Sequence, residues 1–407
     1  MTFQRGAAAT VSLVVLSQVV HFLTYSGLAL LLPFIRQDLG ITFAQAGVLS
    51  AVATSTYALA QIPAGYLSDR YGPKRLFFGG LLGWSLLAAA LALAFSYWAA
   101  LVTLAAAGAC RALLFAPGIA LVASWFPPQR RATAMSLFLV GSFVGTIVLA
   151  LSAPRLSAWF GWRPAFAVYA LLGVATALAF HYAAAENPDA RPARRIGLGD
   201  ALDVLKHRVA WLCNALQFIR FSAVTGFNFW LPSLLVSDRG FSLEQAGLVV
   251  GLSAACAAAA NPLGAYISDR LGKPPLVIGV SLAIVACMSS LLVSVTSTPL
   301  LLAVVALHSV FMTVYFGPLF SVAVDALGSR RAGLATGVGN LFANVGALIS
   351  AFALGVIKDA TGSFAAGFYA MSALCAVGVA LAFALSRMRT ASADEALPRI
   401  GENWSTT

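Results

Sequence analysis

The sequence has few charged residues for its length. Of its 407 residues, 25 are Lys or Arg and 14 are Asp or Glu, so that only 10% are charged while 60% are hydrophobic. A soluble domain carries about 25% charged residues, which it uses to cover its surface. A chain of this composition cannot cover itself in that way. The composition therefore excludes a soluble globular protein and indicates one that is embedded in lipid.

Cysteine is also scarce, and the motifs of common enzyme classes are missing. The five cysteines fall within apolar runs and show no C-x-x-C spacing, which argues against disulfides and metal sites. The sequence contains no nucleotide-binding P-loop, no G-x-S-x-G elbow and no H-E-x-x-H pair. We therefore predict no enzyme activity, no catalytic residues, no metal and no cofactor. Without an ATP-binding segment, any transport must be driven by a gradient.

Long apolar runs, by contrast, recur from end to end. Each has about 20 residues, enough for a helix to cross a hydrocarbon core of about 30 Å. The runs lie at residues 11–35, 45–66, 76–95, 98–123, 132–153, 164–184, 211–235, 246–267, 276–295, 299–325, 333–357 and 365–386. The predicted fold class is therefore all-α: a polytopic membrane protein with twelve transmembrane helices in two six-helix halves.

The basic residues orient these helices. If both termini are cytoplasmic, 18 of the 25 Lys and Arg residues lie in inside segments, five lie in outside loops and two lie within helices. The positive-inside rule then predicts a multi-pass protein of the cell membrane with both termini in the cytoplasm. The formal net charge of +11 reflects this topology. We accordingly expect membrane lipid, and no nucleic acid, as a partner.

The two halves of the chain repeat each other. The stretch AGYLSDRYG (64–72) returns as GAYISDRLG (264–272), and the QAG at 45–47 returns at 245–247 with the same offset. Parallel repeats of six helices occur in transporters that bind their substrate between the halves. We predict four segments: an N-terminal half at 1–184, a cytoplasmic linker at 185–210, a C-terminal half at 211–386 and a cytoplasmic tail at 387–407.

The loop GYLSDRYGPKR (65–75) resembles the signature of the major facilitator superfamily, and the resemblance of the layout covers nearly the whole chain. The matching positions are Gly65, Asp69, Arg70, Gly72, Lys74 and Arg75. The second copy is degraded but keeps Asp269, Arg270 and Gly272. The resemblance implies that these two loops hold the inside face shut and open it when the halves rock. The alternative is that their charges only anchor and orient the loops.

Two arginines lie near the middle of apolar runs, Arg111 in the fourth and Arg220 in the seventh. A charge at the centre of a membrane costs at least about 2.5–3.5 kcal/mol unless it is paired or hydrated. None of the 14 acidic residues lies at the central depth of any run. Because guanidinium binds carboxylates through two parallel hydrogen bonds, an anionic substrate is the simplest partner for both arginines. Alternatively, each arginine bonds to backbone carbonyls or to Asn and Gln on neighbouring helices.

Polar side chains follow the two arginines along the helices. His21 and Tyr25 share a polar face of the first run, and Gln217 and Asn228 share one with Arg220. We predict that these residues orient the anion. His308, Tyr315 and Asn344, the last of which pairs with Asn340, either line the same cavity or bond helix to helix. His21 and His308 are the candidates for carrying a coupled proton.

The predicted function is gradient-driven transport of a small organic anion, a mono- or dicarboxylate, by alternating access. Symport with a proton or another cation is favoured over exchange, and we expect a functional monomer. One alternative is proton-coupled export of drugs or cations, which would require acidic residues in the cavity. Another is a membrane receptor or sensor that keeps the fold without transporting. Inorganic anions also remain open as substrates.

Overall fold

The computed structural model describes residues 2–126, 131–187, 207–327 and 332–396. Within these ranges the chain is helical and contains no strand, which confirms the predicted fold class. We number the helices α1 to α14. Those of the first half are α1 (Thr2–Leu30), α2 (Leu32–Leu39), α3 (Phe43–Tyr71), α4 (Pro73–Ala92), α5 (Tyr97–Ser124), α6 (Arg131–Phe160) and α7 (Trp162–Ala183).

The second half follows the same plan. Its helices are α8 (Arg208–Ser233), α9 (Leu243–Leu271), α10 (Pro274–Ser294), α11 (Thr298–Val314), α12 (Phe316–Leu327), α13 (Ala332–Thr361) and α14 (Ala365–Ala396). A single π-helical turn, Leu234–Asp238, extends α8. Most of the predicted linker, residues 188–206, lies outside the described residues.

Every predicted run has a matching helix. By length and composition, ten of the described helical segments could cross a membrane, and the pair α2 and α3, bent by 115°, raises the number to eleven. The helix that does not qualify is α8, which contains Asn214, Gln217, Arg220 and Asn228. The protein is therefore a multi-pass membrane protein, and the helix that carries Arg220 is one of its more polar helices.

Several boundaries differ from the prediction, and proline explains two of the differences. The first run breaks at Leu31, just before Pro33, and the tenth breaks at Tyr315, so that α12 begins at Phe316. Pro318 has no backbone N–H to donate to Val314, four residues before it, so α11 ends there. Another difference is α14, which continues to Ala396 into the segment predicted to be a tail.

Helix packing repeats between the halves. In the first half α1 packs on α6, α3 on α5 and α4 on α7; in the second, the equivalent helices pair as α8 with α13, α9 with α11 and α10 with α14. The halves themselves meet through α3 with α13 and through α6 with α9. In the repeat, α3 corresponds to α9 and α13 corresponds to α6. The two contacts are therefore equivalent, and the interface follows the same pseudo-symmetry as the sequence repeat.

Glycines allow the two halves to approach closely. A Cβ atom on Gly47 of α3 would lie 2.5 Å from the carbonyl oxygen of Ala351 in α13, and one on Gly247 of α9 would lie 2.5 Å from that of Ala150 in α6. Small residues at such positions let helix backbones touch, which is how helices associate in membranes without a hydrophobic driving force. The interface is therefore tight where these glycines lie.

Candidate functional site

Arg111 lies between two tyrosine rings from different helices. Its guanidinium carbon is 4.0 Å from the ring centroid of Tyr25 in α1 and 4.3 Å from that of Tyr57 in α3. Cation–π contacts of this kind contribute about 0.5–2 kcal/mol, depending on how far the pair is removed from water. The Arg111 side chain is half-buried, and its N–H groups make no hydrogen bond with the described residues. The site therefore holds the guanidinium in place while its hydrogen-bond donors stay available.

The close packing of α5 on α3 brings Tyr57 to Arg111. Gly108 lies one turn before Arg111, and a Cβ atom at that position would collide with the carbonyl oxygen of Ala53 and with the side chain of Thr56. Glycine thus lets α5 approach the segment of α3 that carries Tyr57. The sequence analysis did not identify Tyr57; its i,i+4 spacing from Gln61 in an apolar run was the available signal.

His21 lies next to this arginine site in a cluster of aromatic rings. Its ring stacks on that of Tyr25, with centroids 5.8 Å apart, and meets the ring of Trp84 edge-on at 4.7 Å. The Trp84 indole donates to Thr24 Oγ1 at 2.7 Å, which fixes α4 against α1. His21 is buried, and neither of its ring nitrogens has a hydrogen-bond partner among the described residues. The structure thus brings together His21, Tyr25 and Arg111, and their role in binding a substrate stays a prediction.

Arg220 is held more tightly than Arg111. Its Nε donates to Gln217 Oε1 at 2.9 Å, and its guanidinium carbon lies 4.8 Å from the ring centroid of Phe221 and 4.7 Å from that of Phe316. Only 5% of Arg220 is exposed. The break in the tenth span places Phe316 at the start of α12, where it reaches this arginine. Gln217, which lies on the same helix and not on a neighbouring one, therefore positions Arg220 through its Nε.

The other predicted site residues have mixed surroundings. Asn228 is exposed, unlike Gln217 and Arg220, so the predicted polar stripe of α8 is not uniformly buried. His308 pairs with Ser289 Oγ at 3.2 Å. Tyr315 is fully buried, and its hydroxyl has no hydrogen-bond partner among the described residues.

One polar contact joins the two halves next to the Arg111 site. Asn340 Nδ2 of α13 donates to Gln61 Oε1 of α3 at 2.9 Å, one helical turn after Tyr57. Asn344 is buried, and its amide donates to the backbone carbonyl of Asn340 in the same helix at 2.7 Å. Asn344 thus makes a bond within its helix, and the bond between halves belongs to Asn340 instead.

The two signature loops are only partly described. The Asp69 side chain lies outside the described residues, while Arg70 is exposed and lies 5.3 Å from the ring centroid of Tyr71. In the second copy Asp269 is exposed. Arg270, also exposed, donates to Tyr266 Oη at 3.3 Å.

Both loops turn at their glycines. Gly72 has a φ of 86° and Gly272 a φ of 60°, values that favour glycine. The gating role of Asp69, Arg70, Asp269 and Arg270 stays a prediction.

Another contact between the halves lies at the opposite end of the helices, which we call the outer end because its loops are predicted to face outside. Asp359, near the end of α13, accepts hydrogen bonds from the backbone N–H groups of Phe43 at 3.0 Å and Ala44 at 2.7 Å, at the start of α3. We call these three residues the outer latch. A carboxylate at a helix N-terminus satisfies free N–H groups and the positive end of the helix dipole.

Aromatic rings pack beside the outer latch. The ring centroid of Phe43 lies 6.0 Å from that of Trp230 and 5.5 Å from that of Phe364, both of the second half. The Trp230 indole donates a hydrogen bond to the Ala351 carbonyl oxygen at 3.0 Å. A cavity of about 450 Å³ lies at this end and is lined in part by Phe43 and Asp359. The sequence analysis placed gating only at the inside loops and missed this contact.

The chain resembles known membrane transporters over most of its length. It is 26% identical over 95% of both chains to the hexuronate transporter of Bacillus subtilis (strain 168). It is 29% identical to the probable nitrate/nitrite transporter NarK2 of Mycobacterium tuberculosis (strain ATCC 25618 / H37Rv), over 67% of this chain and 70% of that protein.

Among solved structures, a bacterial homologue of the human lysosomal transporter Spinster, in an inward-facing and unoccupied conformation, has the same fold. It superposes with a TM-score of 0.82 at 17% identity, over 94% of this chain and 97% of that chain. The sequence model of the Major Facilitator Superfamily matches residues 14–351. The chain therefore belongs to the Major Facilitator Superfamily, a family of membrane transporters and not of enzymes.

Proposed function

We propose that this protein is a gradient-driven transporter of a small organic anion, a mono- or dicarboxylate, which it carries by alternating access together with a proton or another cation. The observation that carries the proposal is Arg111. Its guanidinium is held between Tyr25 and Tyr57, has no hydrogen-bond partner among the described residues and lies in a chain without acidic residues at mid-membrane depth. A half-buried cation within a membrane span needs a counter-charge, and the substrate supplies it.

The surroundings of Arg111 favour a carboxylate with an organic body. Guanidinium matches the two oxygens of a carboxylate, and the rings of Tyr25, Tyr57 and Trp84 offer faces for the carbon skeleton. Two relatives named above are a hexuronate transporter and a probable nitrate/nitrite transporter, so both named substrates are anions. Hexuronate is a sugar carboxylate, which agrees with an organic anion as the substrate. Nitrate is an inorganic anion, so the test below includes it as the alternative substrate.

We assign the two arginines different tasks. Arg111 is half-buried and free of hydrogen bonds to described residues, so it binds the carboxylate. Arg220, held by Gln217 and two phenylalanine rings, supplies the second positive charge from the other half. One anion that attracts both arginines draws the N-terminal half (1–184) and the C-terminal half (211–386) together, which links binding to the rocking of alternating access.

The protein would then work as a monomer in the cell membrane with both termini inside. The outer latch closes one end of the path between the halves. The loops with Asp69 and Arg70, and with Asp269 and Arg270, would close the other. Opening one end while the other stays closed is the requirement for carrying a solute against its gradient.

Ligand-dependent thermal stability of the purified protein tests the proposal. The panel contains glucuronate, succinate, nitrate and the organic cation tetraphenylphosphonium, and the variants are Arg111→Gln and Arg220→Gln. A ligand at 100 times its Kd stabilises the folded state by about 2.7 kcal/mol, so a rise in the melting temperature is measurable. Removing one arginine of a buried charge pair weakens binding by about 2–5 kcal/mol. We therefore expect a carboxylate to stabilise the parent and neither variant.

Arg155→Gln is the matched control, since Arg155 is an exposed arginine near the end of α6. It should respond to the carboxylate as the parent does. Stabilisation by the cation, or a full response in Arg111→Gln, would refute the anion site. Stabilisation by nitrate alone would replace the carboxylate with an inorganic anion.

A further inference from the structure

The two buried histidines of the membrane interior differ in their hydrogen bonding. His308 pairs through Nε2 with Ser289 Oγ at 3.2 Å, and its ring stacks on Phe227 with centroids 4.0 Å apart. His21 has no partner for either ring nitrogen among the described residues, although only 4% of it is exposed. A neutral imidazole always carries one N–H donor and one acceptor, and leaving both unsatisfied in a buried site is unfavourable. The Nδ1 atom of His308 also lacks a partner among the described residues, so His21 differs from it in that both of its ring nitrogens are unpartnered.

His21 shares a phenol ring with the arginine of the substrate site. Tyr25 stacks on His21 with an interplanar angle of 15° and is also the ring over which the Arg111 guanidinium lies, at 4.0 Å. His21 and Arg111 therefore contact the same Tyr25 ring. Because an arginine stays charged, its field opposes a second positive charge on His21 for as long as no anion is bound.

The other helices packed on α1 bring no competing charge to this place. Helix α4 contributes Trp84, and the charged residues of α6 and α9 lie towards the ends of those helices. Helix α7 carries Tyr169, whose hydroxyl is bonded to Ser152 of α6 at 2.7 Å. Helix α8 carries Arg220, which is bonded to Gln217. Arg111 is therefore the charged group that acts on His21 among the described residues, and no carboxylate competes with the substrate for it.

We propose that His21 is the site of the coupling proton and that the bound anion, by neutralising Arg111 across Tyr25, makes protonation of His21 favourable. This inference rests on the proposed function, because it requires an anion at Arg111. One proton passes from water to a His21 ring nitrogen as the anion enters and returns to water on the opposite side as the anion leaves. No bond to the substrate forms, and the imidazolium, the guanidinium and the anion together carry less net positive charge than the two cations would alone.

Coupling of this kind is reciprocal. If the anion favours the protonated imidazole, the protonated imidazole must favour the anion by the same factor. Anion affinity therefore falls as the pH rises through the range in which His21 titrates. For one coupled proton the limiting slope is about tenfold in Kd per pH unit. We do not expect His308 to contribute, because its ring stacks on Phe227 and not on a ring that Arg111 contacts.

Anion affinity as a function of pH tests the assignment on the purified protein. The probe is glucuronate, or the carboxylate that best stabilises the parent, and Kd is measured from pH 5 to 9 in the parent, in His21→Gln and in His308→Gln. His181→Gln is the matched control, because His181 is an exposed histidine on α7. We expect a slope approaching tenfold per pH unit in the parent and in His181→Gln, and a Kd that changes less than twofold over the whole range in His21→Gln. Equal slopes in the parent and His21→Gln, or loss of the slope in His308→Gln alone, would overturn the proposal.

Proton movement in proteoliposomes gives a second readout. An imposed glucuronate gradient should acidify the lumen of parent vesicles as the anion enters. His21→Gln should still exchange labelled for unlabelled glucuronate, which demonstrates that it is folded, but should move no protons. If the parent itself carries glucuronate without protons, His21 is not a coupling site, while the proposed anion transport stands. If the parent neither binds nor carries any carboxylate, the proposed function fails instead.

Discussion

Replacing Asp359 by alanine tests whether the outer latch keeps the outer end closed. The variant removes both carboxylate oxygens that accept the N–H groups of Phe43 and Ala44. Helix α3 retains its own capping box, in which Thr42 and Gln45 bond each other's backbone N–H groups. The helix itself should therefore persist, and the lost free energy should appear in the contact between the halves.

The size of the effect follows from these contacts. Removal of a side chain that caps a helix N-terminus costs about 0.5–2 kcal/mol. The aromatic contacts of Phe43 with Trp230 and Phe364 remain, so closure is weakened and not abolished. Since about 1.4 kcal/mol is a factor of ten in an equilibrium constant, the outward-open population should rise by about two- to thirtyfold. Asp359→Asn keeps one acceptor oxygen without the charge, so its outward-open population should lie between those of Asp359→Ala and the parent.

Electron-spin distance measurements report this population directly. Spin labels at Ala99 of α5 and at Thr296, before α11, lie on exposed positions of opposite halves at the outer end. Asp359→Ala should enlarge the fraction of long distances between the labels. Glu244→Ala is the matched control, because Glu244 is an exposed acidic residue in the first turn of α9. If both variants give the parent's distance distribution, the latch does not contribute to closure and the reasoning is wrong.

Two further changes address the interface and the substrate site. Gly47→Ala places a Cβ atom 2.5 Å from the Ala351 carbonyl oxygen, so it should lower the melting temperature and lengthen the spin-label distance. The control is Gly79→Ala, whose Cβ atom has nothing within 4 Å, and its effect on stability should be neutral or slightly stabilising. Equal effects of the two variants would contradict a tight interface. Tyr57→Leu removes one cation–π face from Arg111 and should weaken anion binding by about 0.5–2 kcal/mol in a titration, while Tyr57→Phe should bind nearly as the parent does. A loss in Tyr57→Phe as large as in Tyr57→Leu would mean that the hydroxyl, and not the ring, supports the site.

The sequence by itself determined the class of protein and its architecture. A charged fraction of 10% and repeated apolar runs of about 20 residues leave few alternatives to a helical membrane protein, because lipid allows no unpaired backbone groups. The 200-residue repeat predicted equivalent halves, and the same helix pairs pack in each. These properties are local or periodic along the chain and can be identified without knowing which helices touch.

The sequence also singled out Arg111 and Arg220, since a charge inside an apolar run is unusual wherever the helix packs. It could not assign their surroundings. Tyr57 reaches Arg111 only because Gly108 lets α5 approach α3, and Phe316 reaches Arg220 only because Pro318 ends the preceding helix. Such contacts depend on the distance and rotation between helices, which residue spacing within one helix does not contain.

The outer latch and the difference between the two histidines were decided by tertiary structure alone. Asp359 and Phe43 are 316 positions apart in the chain, and an aspartate in a predicted outside loop is unremarkable until a helix N-terminus lies against it. His21 and His308 look alike as polar residues in apolar runs. Only the folded protein gives one of them a serine partner and places the other against the ring that carries Arg111, because hydrogen bonding and electrostatic coupling act between atoms in space and not between positions in a sequence.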